Sequence, residues 1–322
     1  MKIIITGVAG FIGSNLCNIL LDTGHEVIGI DNLSHGSLDN IKNLLSHKNF
    51  TFINENINKD LLLKKLKGDV LVHLASQKIP RYTNALITLE ENSAMLKSVI
   101  KKCLDDKIKL VFASTSDIYG KNPDIPYSET SNSLLGPTTV KRWAYAISKI
   151  YSEQSIIANN DEYGLEYTIM RFFGSYGPNQ NLTWWGGPQS VFIANSLENK
   201  PLEIHGDGMQ SRTFTYIDDT VQGIIKCIFE EKAKNEIFNI ANNPEEEITI
   251  LELGKLIWSL IHGPESKSLI NFIPYKTFGN YEDVRRRVPN IEKIKTTLNF
   301  MPKVSLKEGM IKTIDWQKNK SR

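Results

Sequence analysis

Cysteine is scarce in this chain of 322 residues. Only Cys17, Cys103 and Cys227 occur, far apart, each inside an apolar, helix-like pattern. That argues against a disulfide framework or a zinc site; no metal is expected, and a reducing, cytoplasmic setting fits. No sign of charge prevails: 38 Lys and Arg face 36 Asp and Glu, a formal net charge of +2. Neither nucleic acid nor a membrane surface is therefore expected as a partner. No apolar run reaches the roughly 18–20 residues that cross a bilayer. The opening MKIIITGVAG carries one lysine and a short apolar run that leads straight into glycines, so it does not read as a signal peptide. There is no internal repeat. With 41% hydrophobic and 23% charged residues, the composition is that of a folded protein rather than a disordered one.

What the chain does contain is alternation. Lys2–Thr6, Glu26–Asp31, Phe50–Ile57, Asp69–Ala75, Lys109–Ser114 and Glu166–Phe173 read as strands, several of them continuously apolar. Strands buried on both faces of a parallel sheet have that texture. Helical patterns fill the gaps at Ile12–Thr23, Asp60–Leu66, Leu86–Cys103 and Lys141–Asn159. The expected fold is α/β, a doubly wound parallel sheet with a smaller, mostly helical C-terminal substrate lobe. Asp218–Glu231 followed by Glu236–Ala241 reads as one more helix–strand unit returning to the sheet. Residues 1–174 plus about 214–243 then form a dinucleotide-binding domain. Residues 175–213 plus 244–322, including Thr249–His262 and Ser305–Gln317, form the lobe.

Strand Ile3–Thr6 runs into Gly7-Val8-Ala9-Gly10-Phe11-Ile12-Gly13, and a helix follows. Glycines permit a tight turn and close backbone approach to a pyrophosphate, which the helix N-terminus attracts. The second strand ends in Asp31, eighteen residues after Gly13. A carboxylate there accepts hydrogen bonds from an adenosine ribose and repels a 2′-phosphate, which favours NAD over NADP.

Tyr145 and Lys149 are four residues apart on an expected helix and face the same way. A nearby ammonium favours phenolate, so Lys149 is expected to lower the Tyr145 pKa and make it a base for a sugar hydroxyl. Strand Lys109–Ser114 leads into Ser114-Thr115-Ser116-Asp117-Ile118-Tyr119-Gly120. Hydroxyls at the carboxyl end of a parallel strand lie at the reaction centre of this architecture, although Ser and Thr also cap strand ends.

Together these segments resemble the extended short-chain dehydrogenases/reductases of the nucleotide-sugar epimerase/dehydratase family. The resemblance also rests on His73-Leu74-Ala75, Arg171-Phe172-Phe173 and Gly206-Asp207-Gly208…Arg212…Tyr216-Ile217-Asp218-Asp219, and it covers essentially the whole chain. It implies a bound NAD held by Gly7, Gly10, Phe11, Ile12, Gly13, Asp31, Asn32, Asn56, Ile57, Leu74, Ala75, Ser76, Tyr145 and Lys149. It implies oxidation of the sugar at C4, with Tyr145 as base, Thr115 on O4, and Ser116 and Asp117 beside them. Asn92 resembles a helix asparagine that steadies the site. Arg212 and Arg287 resemble arginines that bind the nucleotide diphosphate. Arg171 and Gln189 join the implied substrate contacts. The helices at Leu86–Cys103 and Lys141–Asn159 resemble those of a homodimer interface.

The reaction after C4 oxidation turns on Asp117. An epimerase needs no further acid or base, whereas relatives that eliminate water or carbon dioxide often carry T-S-E or T-D-E where this chain has Thr115-Ser116-Asp117. Lys141-Arg142-Trp143-Ala144-Tyr145 resembles the R-W-x-Y of some UDP-glucuronate decarboxylases, and Arg285–Pro289 resembles their R-K-P segment. The reading leans to a lyase, UDP-glucuronate decarboxylase or NDP-hexose 4,6-dehydratase, with an NDP-sugar 4-epimerase as the alternative. A keto-sugar reductase is disfavoured by Asp31, and an inactive sensor by the retained Thr115, Tyr145 and Lys149. Lys78 and Arg81, after the fourth strand, are expected near the sugar, where either could pair a hexuronate carboxylate or remain a solvated loop charge. The chain departs from the family pattern at Gly174, where many members have Asn, and at Asn56-Ile57 in place of Asp-Ile. Trp184-Trp185, within Asn181–Ser190, has no family counterpart; the pair could stack on a base or sugar, or pack the loop.

Overall fold

The computed structural model of the chain describes residues 1–59, 61–78, 84–279 and 281–320. In chain order it runs β1 (Lys2–Thr6), α1 (Phe11–Asp22), β2 (Glu26–Asp31), β3 (Phe50–Asn54), α2 (Leu62–Lys65), β4 (Val70–His73), α3 (Ala85–Asp106), β5 (Lys109–Thr115), α4 (Trp143–Tyr163) and β6 (Tyr167–Phe172). Then follow β7 (Ser175–Tyr176), α5 (Pro188–Leu197), β8 (Leu202–His205), β9 (Ser211–Thr213), β10 (Thr215–Tyr216), α6 (Ile217–Phe229) and β11 (Glu236–Ile240). The chain continues through β12 (Glu247–Thr249), α7 (Ile250–His262), β13 (Ile270–Ile273), β14 (Arg286–Arg287), α8 (Glu292–Leu298) and α9 (Leu306–Lys320).

Seven parallel strands in the order β11-β6-β5-β4-β1-β2-β3 form the central sheet. Period-two alternation within the apolar strands splits their side chains between two cores. Ile3 and Ile5 of β1 pack on one face with Leu16 and Leu20 of α1 and Val221 and Ile224 of α6. Ile4 packs on the other with Leu96 and Val99 of α3 and Ile156 of α4. Each such buried side chain contributes about 1.5–3 kcal/mol, and the sum pins the strand register. The order in which strands are added to the sheet reverses at β1, whose parallel neighbours are β2 and β4. That switch point opens a crevice at the carboxyl ends of these strands.

Local chemistry sets the element ends. The expected third strand stops at Asn54, and Asn56 Oδ1 accepts the Asn58 amide at 3.0 Å, a turn that competes with the ladder. Helix α4 runs past Asn159 to Tyr163, where Gly164 closes it at φ 72°. The expected helix Asp60–Leu66 shrinks to α2; Asp60 lies outside the described residues. Beyond the central sheet lie small sheets the sequence did not announce: β10-β7, β12-β9-β14 and β13-β8. They place Arg212 beside Arg287 in register. The three cysteines are free and buried. No described helix is long and apolar enough to cross a membrane.

Candidate active site

A cleft of about 1150 Å³ runs from the β1–α1 loop to the lobe. At one end the loop takes the shape its glycines allow. Gly7 sits at φ 79°, where a Cβ would come 2.8 Å from the Ala75 amide nitrogen. A Cβ on Gly13 would lie 2.2 Å from Gly7 O. Helix α1 has no side-chain cap, so its first amides remain free for an anion. Asp31 closes this end. Its Oδ2 accepts from Ala9 N at 3.0 Å and its Oδ1 from Leu33 N at 2.8 Å. Burial raises its pKa, and the Leu33 and Ala9 amides act against that. Phe11, Ile12, Asn32, Asn56 and Ile57 also line the cleft, and Leu74, Ala75 and Ser76 continue the wall. A backbone cradle that a Cβ would fill, a free helix N-terminus and a fixed carboxylate suit a dinucleotide.

Helix α4 lays three residues at four-residue spacing along the end of β5. The Thr115 and Ser76 hydroxyls face the Tyr145 phenol and favour its ionised form. Lys149 Nζ donates to Ala113 O at 2.8 Å and lies 5.9 Å from the Tyr145 ring centre. Glu153 accepts from Ser114 and takes Arg171 in a two-pronged ion pair, at 3.0 and 2.6 Å. Thr115 Oγ1 also accepts the Asp117 amide, at 3.1 Å, and Ser116 is buried at the same corner. The sequence leads one to expect a depressed Tyr145 pKa; the structure shows the reverse. Burial first, then the Asp117 carboxylate, pushes the phenol above its ordinary value, against the hydrogen bonds of Thr115 and Ser76. Burial also takes Lys149 down to about 7, so part of the expected ammonium charge is lost near neutral pH.

Beside Tyr145 lies a cluster of opposite charges. Arg142 and Arg287 both donate to Asp117 Oδ1, at 3.1 and 2.6 Å. Arg212 and Arg142 both reach Asp283 Oδ1, at 2.9 and 3.3 Å. Burial would raise the Asp117 pKa, but Arg287, Arg142 and Arg212 together hold it below the ordinary carboxylate value. The same arginines bring Asp283 to about 2 against burial. Tyr281 and Tyr275 complete the ring: Arg142 donates to the Tyr281 hydroxyl at 2.8 Å, and Tyr275 donates to Asp283 Oδ2 at 3.0 Å.

Arg171, expected at the substrate, does not line the cleft, and neither does Asn92, expected to steady the site. Asn92 clamps the loop after β4 onto α4: it accepts from Gln77 N at 2.8 Å and donates to Gln77 O at 2.9 Å and to Ser148 at 3.1 Å. Arg171 spends its donors on Glu153, Tyr119 and Glu129 O. Both are buried inside the wall, where hydrogen bonding holds the scaffold rather than a ligand. Lys78 lines the cleft, and Arg81 lies outside the described residues. Gln189 lines it too; its amide donates to Gln180 Oε1 at 3.0 Å and Gly186 O at 2.9 Å.

Sequence reasoning missed Asp283 and Tyr281, which carry no motif signal. It quoted Arg142 within a resemblance without giving it a role. The Trp pair has protein partners: Trp184 stacks on His205 at 4.1 Å, and Trp185 on His35 at 4.4 Å. His35 also meets Gln77 at 2.9 Å, so contacts cross the cleft there. Among the described residues no His, Cys, Asp and Glu cluster could hold a metal ion.

Comparison with known proteins agrees with this geometry. Residues 3–241 match the family model described as "NAD dependent epimerase/dehydratase family". The chain is 34% identical to UDP-N-acetyl-alpha-D-glucosaminuronate decarboxylase of Bacillus cytotoxicus, over 98% of this chain and 97% of that protein. It is 33% identical to UDP-glucuronic acid decarboxylase 1 of Danio rerio, over 98% of this chain and 72% of that one. Among solved structures it resembles UDP-glucuronic acid 4-epimerase from Bacillus cereus, in complex with NAD and UDP-4-deoxy-4-fluoro-glucuronic acid. That match has a TM-score of 0.88, 28% identity and 99% of each chain covered. The chain therefore belongs to the NAD-dependent epimerase/dehydratase family of nucleotide-sugar enzymes.

Proposed function

We propose that the chain is an NAD-dependent decarboxylase of a nucleotide-linked hexuronate, of the UDP-glucuronate type. The observation that carries this reading is Asp117 held ionised by Arg142 and Arg287 beside Tyr145 and Thr115. An epimerase has no use for such a group. The named decarboxylases among the relatives support the same choice.

The Gly7–Gly13 loop would hold the pyrophosphate of NAD, Asp31 the adenosine ribose, and Lys149 the nicotinamide ribose. When bound, NAD supplies two-electron oxidation at sugar C4 and its later reversal. Tyr145 takes the proton of the 4-hydroxyl while Thr115 holds O4. The 4-keto sugar is then a β-keto acid. Its C5–C6 bond breaks, the electron pair passes into the C4–C5 enolate, and carbon dioxide leaves. C5 gains a proton from solvent in place of the carboxyl group, C4 is reduced again, and Tyr145 returns the O4 proton, so the reaction is redox neutral. Asp117, kept as a carboxylate by its arginines, serves as an acceptor and not as an acid.

The second reading is a hexuronate 4-epimerase, which the likeness to the Bacillus cereus enzyme favours. A 4,6-dehydratase is the third. Product mass separates them. Incubation with NAD and UDP-glucuronate, UDP-N-acetylglucosaminuronate or UDP- and dTDP-hexoses is expected to release carbon dioxide from a hexuronate. Loss of water establishes a dehydratase, and a new isomer of unchanged mass establishes an epimerase. Asp117→Asn should stop carbon dioxide release and would spare an epimerase. We further propose a homodimer through α3 and α4, which expose Leu86, Ile87, Ile147 and Tyr151; light scattering at twice the chain mass is the expected result.

A further inference from the structure

Two features of the cluster beside Tyr145 are unmatched. Among the described residues, three guanidinium groups, Arg142, Arg212 and Arg287, share two carboxylates, Asp117 and Asp283, so the cluster carries one positive charge in excess. In addition, the Nε atoms of both Arg142 and Arg287 are buried and have no hydrogen-bond acceptor among the described residues. Burying a charge or a donor unpaired is costly, and an oxyanion in the cleft would balance the excess charge. Other charges near the cluster do not close it: Glu282 pairs with Lys121, and Lys149 is itself a cation or neutral.

Arg142 is built for the task. It sits three residues before Tyr145, at the start of α4. Its guanidinium packs 5.2 Å from the Trp143 ring centre and 5.7 Å from that of Tyr281, while three hydrogen bonds fix its terminal nitrogens. A guanidinium fixed in this way discriminates by geometry as well as by charge. Arg287 reaches the same Asp117 oxygen from β14, so the two cations converge on one corner of the cleft.

We propose that Arg142 is a specificity-determining residue which, with Arg287, reads a carboxylate on the sugar of the substrate. This inference rests on the hexuronate reading above. The shared chemistry is a single oxyanion, and the nucleotide diphosphate is its other source in the same substrate. Binding to the NAD-loaded protein separates the two, with UDP, UDP-glucose and UDP-glucuronate as probes. Wild type should bind UDP-glucuronate at least about tenfold more tightly than UDP-glucose. Arg142→Gln should erase that preference and leave the affinities for UDP and UDP-glucose unchanged, which also shows that the variant is folded. Arg142→Lys should restore only part of the preference, because charge returns without the planar fork.

Equal weakening of all three probes assigns Arg142 to the diphosphate and overturns the inference. A preference retained in Arg142→Gln while kcat falls reduces Arg142 to a positioner of Asp117, and also overturns it. No preference in wild type removes the hexuronate reading itself, which distinguishes that failure from the other two.

Discussion

The carboxylate of Asp117 and the guanidinium of Arg287, 170 residues apart in the chain, meet at 2.6 Å. Asp117 comes from the turn after β5, and Arg287 from β14 of the lobe. Arg142 joins them on the same oxygen at 3.1 Å. The ion pair thus ties the sheet's catalytic corner to the lobe, and it lies where sugar chemistry is expected. Its net effect on Asp117 is a lowered pKa, with burial as the opposing influence.

Tyr145→Phe is expected to lower kcat by about 10²–10⁴-fold, the usual range for loss of a general base. NAD should stay bound, because the Gly7–Gly13 cradle is untouched. Turnover assays with a count of bound cofactor check this. Near-wild-type turnover would remove Tyr145 from the mechanism.

The glycine loop makes a graded prediction. A Cβ on Gly13 meets Gly7 O at 2.2 Å, whereas one on Gly10 meets it at 3.1 Å. The first clash is with backbone and cannot be relieved by a rotamer. Gly13→Ala should therefore abolish NAD retention and lower Tm, while Gly10→Ala should weaken retention by less. The cofactor absorbance of the purified variants gives the order, and equal effects would contradict it.

Arg171 and Glu153 form a buried two-pronged pair inside the wall. Removing one partner strands the other, at a cost of about 3–5 kcal/mol. Arg171→Ala should therefore lower Tm sharply and leave the KM of residual active protein unchanged. A raised KM at unchanged Tm would return Arg171 to the substrate.

His73 is buried against Thr6 at 2.7 Å, and its pKa falls from 6.5 to about 3, through burial first and the Lys149 charge second. The unfolded chain binds this proton below about pH 6.5, and the folded chain not until about pH 3. Stability should therefore be lost as the pH drops from about 6.5 towards 3, by at most about 1.4 kcal/mol per pH unit from this group. Melting curves between pH 7 and 4 should show a shallower slope for His73→Gln. Identical slopes would exclude the assignment.

The sequence by itself determined the sheet, the loop and the pairing of Tyr145 with Lys149 on one helix face. Ile3–Ile5 must be buried on both faces, Gly7–Gly13 must turn tightly, and Tyr145 and Lys149 must share a helix face. These are local rules of period, φ and spacing, so they are written in consecutive residues. Asp31 followed in the same way, from its distance to the loop. The tertiary structure alone decided what surrounds those groups. It withdrew Arg171 into the scaffold, because Arg171 found partners in Tyr119, Glu129 and Glu153, and it supplied the partners through which Asn92 steadies the wall, Gln77 and Ser148. It brought Asp283 and Tyr281 onto Arg142. It also set the sign of the Tyr145 shift, because burial and the charge of Asp117 act through space and depend on packing that no spacing in the chain records.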